Sequence, residues 1–154
     1  MNIIKLITTI GLCLLAGGIG SLATMPAINS WYVTLNKPSF SPPNWLFGPV
    51  WTALYILMGI AAYLIWREAG SKNIKGALII FVMQLLLNIF WSLIFFGLRQ
   101  PGWALGEIIV MWMAILATIL AFYPISKIAT GLLIPYLLWV TFASFLNLMI
   151  VRLN

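Results

Sequence analysis

The sequence predicts an all-α membrane protein in which one domain, residues 1–154, forms a bundle of five transmembrane helices. The chain is 64% hydrophobic and only 6% charged, whereas an ordinary soluble domain has about 25% charged residues. It also contains five apolar stretches, each with a length of about the 20 residues that a membrane-spanning helix needs. Five such spans take up roughly two thirds of the chain, so no room remains for a soluble domain.

Prolines, glycines and charged residues separate the spans. The first span is predicted at about 3–25 and ends at Pro26, after which residues 26–43 form a proline-rich loop. Short polar turns join the later spans, so that neighbouring helices run antiparallel. Pro135 inside the fifth span predicts a local kink or a lost hydrogen bond. The other four spans are predicted at about 45–66, 76–97, 103–123 and 128–151.

The N-terminal segment has some features of a signal peptide, because Lys5 precedes an apolar run that ends in small residues. The run is long enough to span a membrane, however, and Leu22-Ala23-Thr24 is a poor cleavage site. We therefore expect a retained first helix.

The basic residues indicate the orientation of the bundle. An odd number of spans places the two termini on opposite faces of the membrane. Five basic residues fall on the N-terminal side and three on the other, and an excess of Lys and Arg marks the cytoplasmic side. This predicts a cytoplasmic N-terminus and an outward-facing proline-rich loop. The two sets are Lys5, Arg67, Lys72, Lys75 and Lys127 against Lys37, Arg99 and Arg152.

The polar composition excludes several function classes. The net charge of +6 comes from scattered residues without a basic run, so no nucleic-acid partner is predicted. The chain has no histidine, the commonest metal ligand and general base. Cys13 is its only cysteine and Glu68 and Glu107 are its only acids. Neither a metal site nor a cofactor is therefore expected.

Glu107 is the only acid inside a span. A proton-coupled exporter would need a carboxylate deep in the bundle, and Glu107 lies about one turn into the fourth span. An acid near a helix N-terminus is favourable, so we expect Glu107 to stabilise that end of the helix. A proton-coupled small-molecule exporter is the least favoured function.

The stretch from Asn36 to Trp51 is the longest interruption of the apolar sequence and holds four of the eight prolines. Proline fixes φ and restricts the residue before it, so this backbone is extended and semi-rigid. Phe40, Trp45 and Phe47 are interleaved with the prolines. These aromatic residues fit two interpretations: an interfacial belt of the membrane, or a lid over a flat apolar ligand.

Polar residues inside the spans are expected to face the bundle interior. Gln84, Asn88 and Ser92 recur every four residues and share one face of the third span, and Asn147 lies on the fifth. They predict either hydrogen bonds that hold helices together or a ligand pocket. Such a pocket would have aromatic walls for stacking and a few polar groups for orientation. Its predicted lining is Trp51, Tyr55, Asn88, Trp91, Trp139 and Ala143.

Several motifs resemble those of one known family. Lys37-Pro-Ser-Phe-x-Pro-Pro-x-Trp45, followed by Gly48-Pro-Val-Trp51, is similar to the signature of the TspO / translocator protein family, also called tryptophan-rich sensory proteins or peripheral-type benzodiazepine receptors. The resemblance is to a bacterial-type member and covers nearly the whole chain. It continues through Leu87-Asn88-x-x-Trp91-Ser, Phe95-Phe-Gly97-x-Arg99-Gln, Gly102-Trp103-Ala-Leu and Pro135-Tyr-Leu-Leu-Trp139-x-x-Phe142-Ala143.

The resemblance implies a five-span receptor or transporter-like protein, commonly a homodimer in the lipid bilayer. Its implied ligands are porphyrins, isoquinolines or benzodiazepines, and sterols. It also implies an alternative function, light-dependent porphyrin degradation, in which Trp51 and Trp139 would be the catalytic residues. The ligand-binding positions that it implies here are Trp51, Asn88, Trp91, Trp103, Trp139, Ala143 and Leu146.

Two departures from the family pattern concern the ligand. Mammalian members carry a Tyr in a cholesterol-recognition motif late in the fifth span, where this chain has Leu148. Ser41 occupies a loop position that is a histidine in mammalian members. The first departure argues against sterol binding through this motif, and the second removes any role of that imidazole.

Overall fold

A computed structural model of the chain describes residues 1–154 and contains five long helices and no strand. All five are long and apolar enough to cross a membrane, which confirms the predicted fold class. A 3₁₀ turn, Tyr32–Thr34, interrupts the loop between α1 and α2, and a π-helical turn, Leu93–Gly97, continues α3. The helices are α1 Ile3–Ile28, α2 Asn44–Trp66, α3 Lys75–Ser92, α4 Pro101–Phe122 and α5 Lys127–Leu153.

The helices form a closed ring. α1 packs against α2 and α3, α4 packs between α3 and α5, and α5 returns to α2, while α2 and α3 scarcely touch. The order around the ring is therefore α1, α2, α5, α4, α3. The backbone N–H of Asn2 donates to the Tyr63 hydroxyl at one end of the bundle, and Asn154 contacts Asn36 at the other. The termini thus lie at opposite ends.

The end of α1 differs from the sequence prediction. The helix continues past Pro26 to Ile28 rather than ending at the proline. Proline lacks only its own hydrogen bond to the carbonyl four residues earlier, and its fixed φ is compatible with a helix. The bond lost is the one to the Leu22 carbonyl, and the helix still continues for two residues beyond the proline. At its end the Ser30 hydroxyl donates to the Pro26 carbonyl at 2.6 Å. The connecting loop is correspondingly shorter and begins after Ile28.

Glycines allow α1 to pack closely against α2 and α3. A Cβ added to Gly59, in the half of the bundle away from the loop, would lie 2.8 Å from the Ile10 backbone nitrogen, and one added to Gly17, near the middle of α1, would overlap the Tyr55 ring. On the α3 side, a Cβ on Gly20 would lie 3.2 Å from the Ser92 hydroxyl. Gly17 and Gly20 on α1 therefore serve packing within the chain.

We expect Gly59→Ala to destabilise the protein by about 1–3 kcal/mol, because a methyl group at this contact has no space unless backbone moves. The measurement is thermal or denaturant unfolding in detergent. Gly106→Ala is the matched control, since nothing lies within 4 Å of a Cβ at Gly106. There alanine should be neutral or stabilising by up to ~1 kcal/mol. Equal stability of the two variants would contradict the close approach of α1 and α2.

Candidate functional site

The main cavity of about 490 Å³ lies in the half of the bundle next to the loop. Pockets of roughly 300–1,000 Å³ are typical of small-molecule sites. Residues from α1, α2, α3 with its π turn, and α5 line it, while α4 contributes none. Of the eight predicted ligand-binding residues, six line this cavity, namely Trp51, Tyr55, Trp91, Trp139, Ala143 and Leu146.

Aromatic rings form much of the cavity wall. Trp51 stacks on Tyr55 with ring centroids 5.7 Å apart and an interplanar angle of 28°. Trp91 stacks on Phe95 at 5.0 Å, and Phe47 meets Trp139 edge-on at 6.2 Å. Rings fixed by such contacts present rigid flat surfaces, so the wall is suited to stacking against a planar apolar ligand.

The indole N–H of Trp139 is a buried hydrogen-bond donor without a partner within the protein. The buried hydroxyl of Tyr32 also lacks a well-aligned partner, but the Ser41 hydroxyl lies beside it. Burial raises the pKa of the Tyr32 hydroxyl above its ordinary value, which keeps the group protonated. A buried donor without a partner costs free energy. The Trp139 N–H is therefore available to an acceptor on a ligand, whereas a ligand would compete with Ser41 for the Tyr32 hydroxyl.

Trp91 differs from Trp139 because its N–H is already satisfied. The Trp91 indole donates to Asn147 Oδ1 at 3.1 Å, and Asn147 Nδ2 donates to the Pro101 carbonyl at 2.9 Å. This chain connects α3, α5 and the start of α4. Of the two interpretations that the sequence allows for these polar residues, Asn147 fits both, because it joins helices through hydrogen bonds and also lines the cavity.

Asn88 lies behind the cavity wall and does not line it. The side chain is 3% exposed. Tyr55 donates from its hydroxyl to Asn88 Oδ1, and Asn88 Nδ2 donates to the Tyr136 hydroxyl at 2.9 Å. Tyr136 in turn donates to Gln84 Oε1 at 2.7 Å. Asn88 therefore supports the cavity through Tyr55, where the sequence predicted direct contact with the ligand.

Trp103 does not line the cavity. It is 76% exposed on the outer surface of α4. The inward face of that helix is formed by Ala104, Ile108 and Met111, so the neighbouring position 103 points outward. As a surface tryptophan of the same bundle, Trp103 provides a natural control for the cavity tryptophans.

Glu107 does not have the position expected of a helix-capping acid. The first turn of α4 contains no acidic residue, and its N-terminus is formed by Gln100 and Pro101. Both carboxyl oxygens of Glu107 are buried without a hydrogen-bond partner. The residue does not line the main cavity, so it offers no direct contact to a ligand there.

The loop is attached to the end of α5 above the cavity. The backbone N–H of Asn36 donates to Asn154 Oδ1 at 3.0 Å, and Asn154 Nδ2 donates back to the Asn36 carbonyl at 2.9 Å. Phe40 stacks on Phe145 with centroids 5.6 Å apart. Lys37 is held within the loop, where its Nζ donates to the Tyr32 carbonyl at 2.9 Å. These contacts cover the membrane-surface end of the bundle.

Tyr32 is one of several cavity residues that the sequence analysis missed, and it is the one supplied by the loop between α1 and α2. It lies in the 3₁₀ turn just before the proline-rich stretch, and its ring packs edge-on against Phe47 at 6.3 Å. No helical spacing marks the residue in the sequence, because a turn outside the spans positions it. The adjacent Trp31-Tyr32 pair is the only local signal.

This architecture defines a multi-pass integral membrane protein with an internal aromatic cavity. The sequence model of the TspO/MBR family matches residues 9–153, and the chain belongs to that family. It is 46% identical to the tryptophan-rich protein TspO of Chlorobaculum tepidum over 99% of this chain and 98% of the relative. Identity to the Archaeoglobus fulgidus protein of the same name is 47%, over 100% and 99%. The human translocator protein is 45% identical over 80% of this chain and 75% of its own length. The predicted family is thus confirmed.

Proposed function

We propose that the protein is a membrane receptor or transporter-like protein that binds porphyrins and other planar hydrophobic ligands in its main cavity. The observation that carries this proposal is the pair of tryptophans, Trp51 and Trp139, on the wall of a cavity of about 490 Å³. Names of relatives such as tryptophan-rich sensory protein and translocator protein fit a receptor-like role.

The chemistry of the wall favours a flat ligand with a few acceptor atoms. The indole and phenol rings offer stacking surfaces, and the cavity contains no charged side chain among its lining residues. The unpaired N–H of Trp139 would fix the orientation of a carbonyl or carboxylate. A porphyrin has the required flat ring and peripheral acceptors, and isoquinoline or benzodiazepine ligands share that pattern. Sterols lack the flat aromatic ring and fit less well.

The test is an equilibrium titration of the purified protein with protoporphyrin in darkness, followed by quenching of tryptophan fluorescence. Trp139→Ala should weaken binding about tenfold, because it removes both a stacking face and an N–H donor. Trp103→Ala is the control and should change the affinity by less than about twofold, or ~0.4 kcal/mol. Equal effects of the two substitutions would show that the ligand does not occupy this cavity.

Light- and oxygen-dependent porphyrin degradation is the second candidate function. Trp51 and Trp139 both line the cavity, so an illuminated porphyrin bound there would lie beside oxidisable indoles. Binding is favoured as the main function, since no acid–base pair lines the cavity. A proton-coupled exporter is less well supported, because Glu107 lies outside the cavity lining.

A further inference from the structure

The cavity is open on one side, between the loop-proximal halves of α1 and α2. Met25 on α1 and Trp45 on α2 both line the cavity, yet each is 72% exposed. Leu14 also lines the cavity, about three turns before Met25 on α1, and is 38% exposed. Residues that face both the cavity and the outside of the protein mark an opening in its wall.

Two glycines on the same face of α2 show where the helices separate. Gly48 and Gly59 are eleven residues apart, which is about three turns, so they point in nearly the same direction. At Gly59 a Cβ would lie 2.8 Å from the Ile10 backbone nitrogen of α1. At Gly48 nothing lies within 4 Å of the same position. α1 and α2 therefore touch at the level of Gly59 and leave a gap at the level of Gly48, below the contact between Asn44 and Ile28 at their loop-proximal ends.

The opposite edge of the opening is formed by α1. A Cβ on Gly17 would meet the Tyr55 ring of α2, whereas Gly18, turned by about 100° from Gly17, would present its Cβ to a side with nothing within 4 Å. Gly18 and Gly48 both line the cavity and are both exposed. The absence of side chains at these two positions widens the gap.

The opening lies at the depth of the lipid hydrocarbon. Gly18 precedes the end of α1 at Ile28 by ten residues, which corresponds to ~15 Å along the helix. Gly48 follows the start of α2 at Asn44 by four residues, or ~6 Å. Because the hydrocarbon core is about 30 Å thick, the gap extends from near its surface to near its midplane.

The other approach to the cavity, from the membrane surface, is covered by the loop. The reciprocal amide pair of Asn36 and Asn154 and the stack of Phe40 on Phe145 fasten the loop to α5. Asn44 Nδ2 also donates to the Ile28 carbonyl at 3.3 Å, which links the loop-proximal ends of α1 and α2. The open side thus faces lipid while the end that faces water is closed.

We infer that ligands enter and leave the cavity laterally from the bilayer, through the gap between α1 and α2 with Gly18 and Gly48 on its two edges. The inference rests on the proposed binding function. It narrows the ligand class to compounds that dissolve in the membrane hydrocarbon before they bind. Delivery from lipid explains why the wall needs no charged residue to attract a ligand from water.

The test measures binding kinetics in lipid vesicles that contain the full protein. Protoporphyrin carried by a second population of vesicles is mixed in rapidly in darkness, and tryptophan quenching gives the association rate. Transfer to an excess of empty vesicles then gives the dissociation rate. The variants are Gly18→Leu and Gly48→Leu, which narrow the gap from either edge. Gly11→Leu is the matched control, since Gly11 lies two turns from Gly18 on the same face of α1, has equally open surroundings and does not line the cavity.

Both gap variants should slow association and dissociation by similar factors of about fivefold or more, because a narrower passage raises the barrier in both directions. Gly11→Leu should match the unmodified protein, as should Asn154→Ala, which removes both side-chain hydrogen bonds to the Asn36 backbone and so loosens the loop. Unchanged association in both gap variants would overturn the inference, and so would faster association in Asn154→Ala. Each variant is first shown to keep the unfolding midpoint of the unmodified protein, and either gap variant alone suffices for the comparison. Failure of the unmodified protein to bind protoporphyrin at equilibrium would instead refute the proposed function itself.

Discussion

Asn88→Leu is expected to destabilise the protein by about 1–2 kcal/mol, which is large for a single amide in a membrane bundle. Interhelical hydrogen bonds in membranes average only ~0.6 kcal/mol. Here, however, one substitution removes the partner of two buried hydroxyls, those of Tyr55 and Tyr136. A buried polar group left without a partner costs about 1–3 kcal/mol, and Tyr136 keeps its bond to Gln84. Unfolding in detergent measures the effect.

The control is the double variant Asn88→Leu, Tyr55→Phe, in which Tyr136 keeps its bond to Gln84. Replacing both partners of a buried hydrogen bond with apolar groups of similar shape can be nearly neutral. The double variant should therefore recover most of the stability lost in Asn88→Leu. If it is no more stable than Asn88→Leu, the loss comes from packing and the hydrogen-bond chain is not its cause.

The same series decides how Asn88 affects the ligand. If Asn88 acts through Tyr55, its substitution should weaken protoporphyrin binding in the unmodified protein and have little further effect in a Tyr55→Phe background. Direct contact with the ligand would instead give the same loss in both backgrounds. The structure supports the first outcome, because Asn88 is 3% exposed and does not line the cavity.

Much of the fold follows from the sequence because a span has to be long and apolar to cross a bilayer. That requirement locates all five helices, and the observed bounds differ from the predicted ones by a few residues. Pro26 was the least reliable boundary, since a proline near a helix end can terminate the helix or be tolerated within it. The proline removes only the donor to the Leu22 carbonyl, and here the helix continues past it to Ile28.

The cavity was predictable in part. Helical spacing brought Trp139 and Ala143 to one face of α5, and both line the cavity. Helical spacing does not distinguish polar residues that line a cavity from those that hydrogen-bond to its lining residues. For this reason the sequence predicts Asn88 in the cavity wall. Trp103 shows a second limit, because α4 is the one helix of the ring that contributes nothing to the cavity. The gap between α1 and α2 depends on the angle at which two helices diverge, which no local pattern records.

Loss of protoporphyrin in the presence of the protein is expected to require both light and oxygen, and to fall strongly in Trp51→Phe and Trp139→Phe. An illuminated porphyrin can generate reactive oxygen by itself, and the indoles of Trp51 and Trp139 are the oxidisable tryptophans that the sequence assigned to this site. Phenylalanine keeps a flat ring for stacking but loses the easily oxidised indole and its N–H. Binding should therefore weaken by less than about threefold, or ~0.6 kcal/mol, while degradation drops. Absorbance of the bound pigment under illumination measures the rate.

Trp103→Phe provides the matched control for this experiment. It removes the same indole from a position that is 76% exposed on the outer surface of α4, so degradation should continue at the rate of the unmodified protein. A drop in Trp103→Phe as large as in Trp139→Phe would mean that the reacting pigment lies outside the cavity. Undiminished degradation in both cavity variants would show that neither Trp51 nor Trp139 takes part, which leaves self-bleaching of the pigment or the other cavity indoles, Trp45 and Trp91. Turnover in darkness would require a catalytic group other than the two indoles. Glu107, the only acid within a span, does not supply it from the cavity wall, because it lies outside the cavity lining.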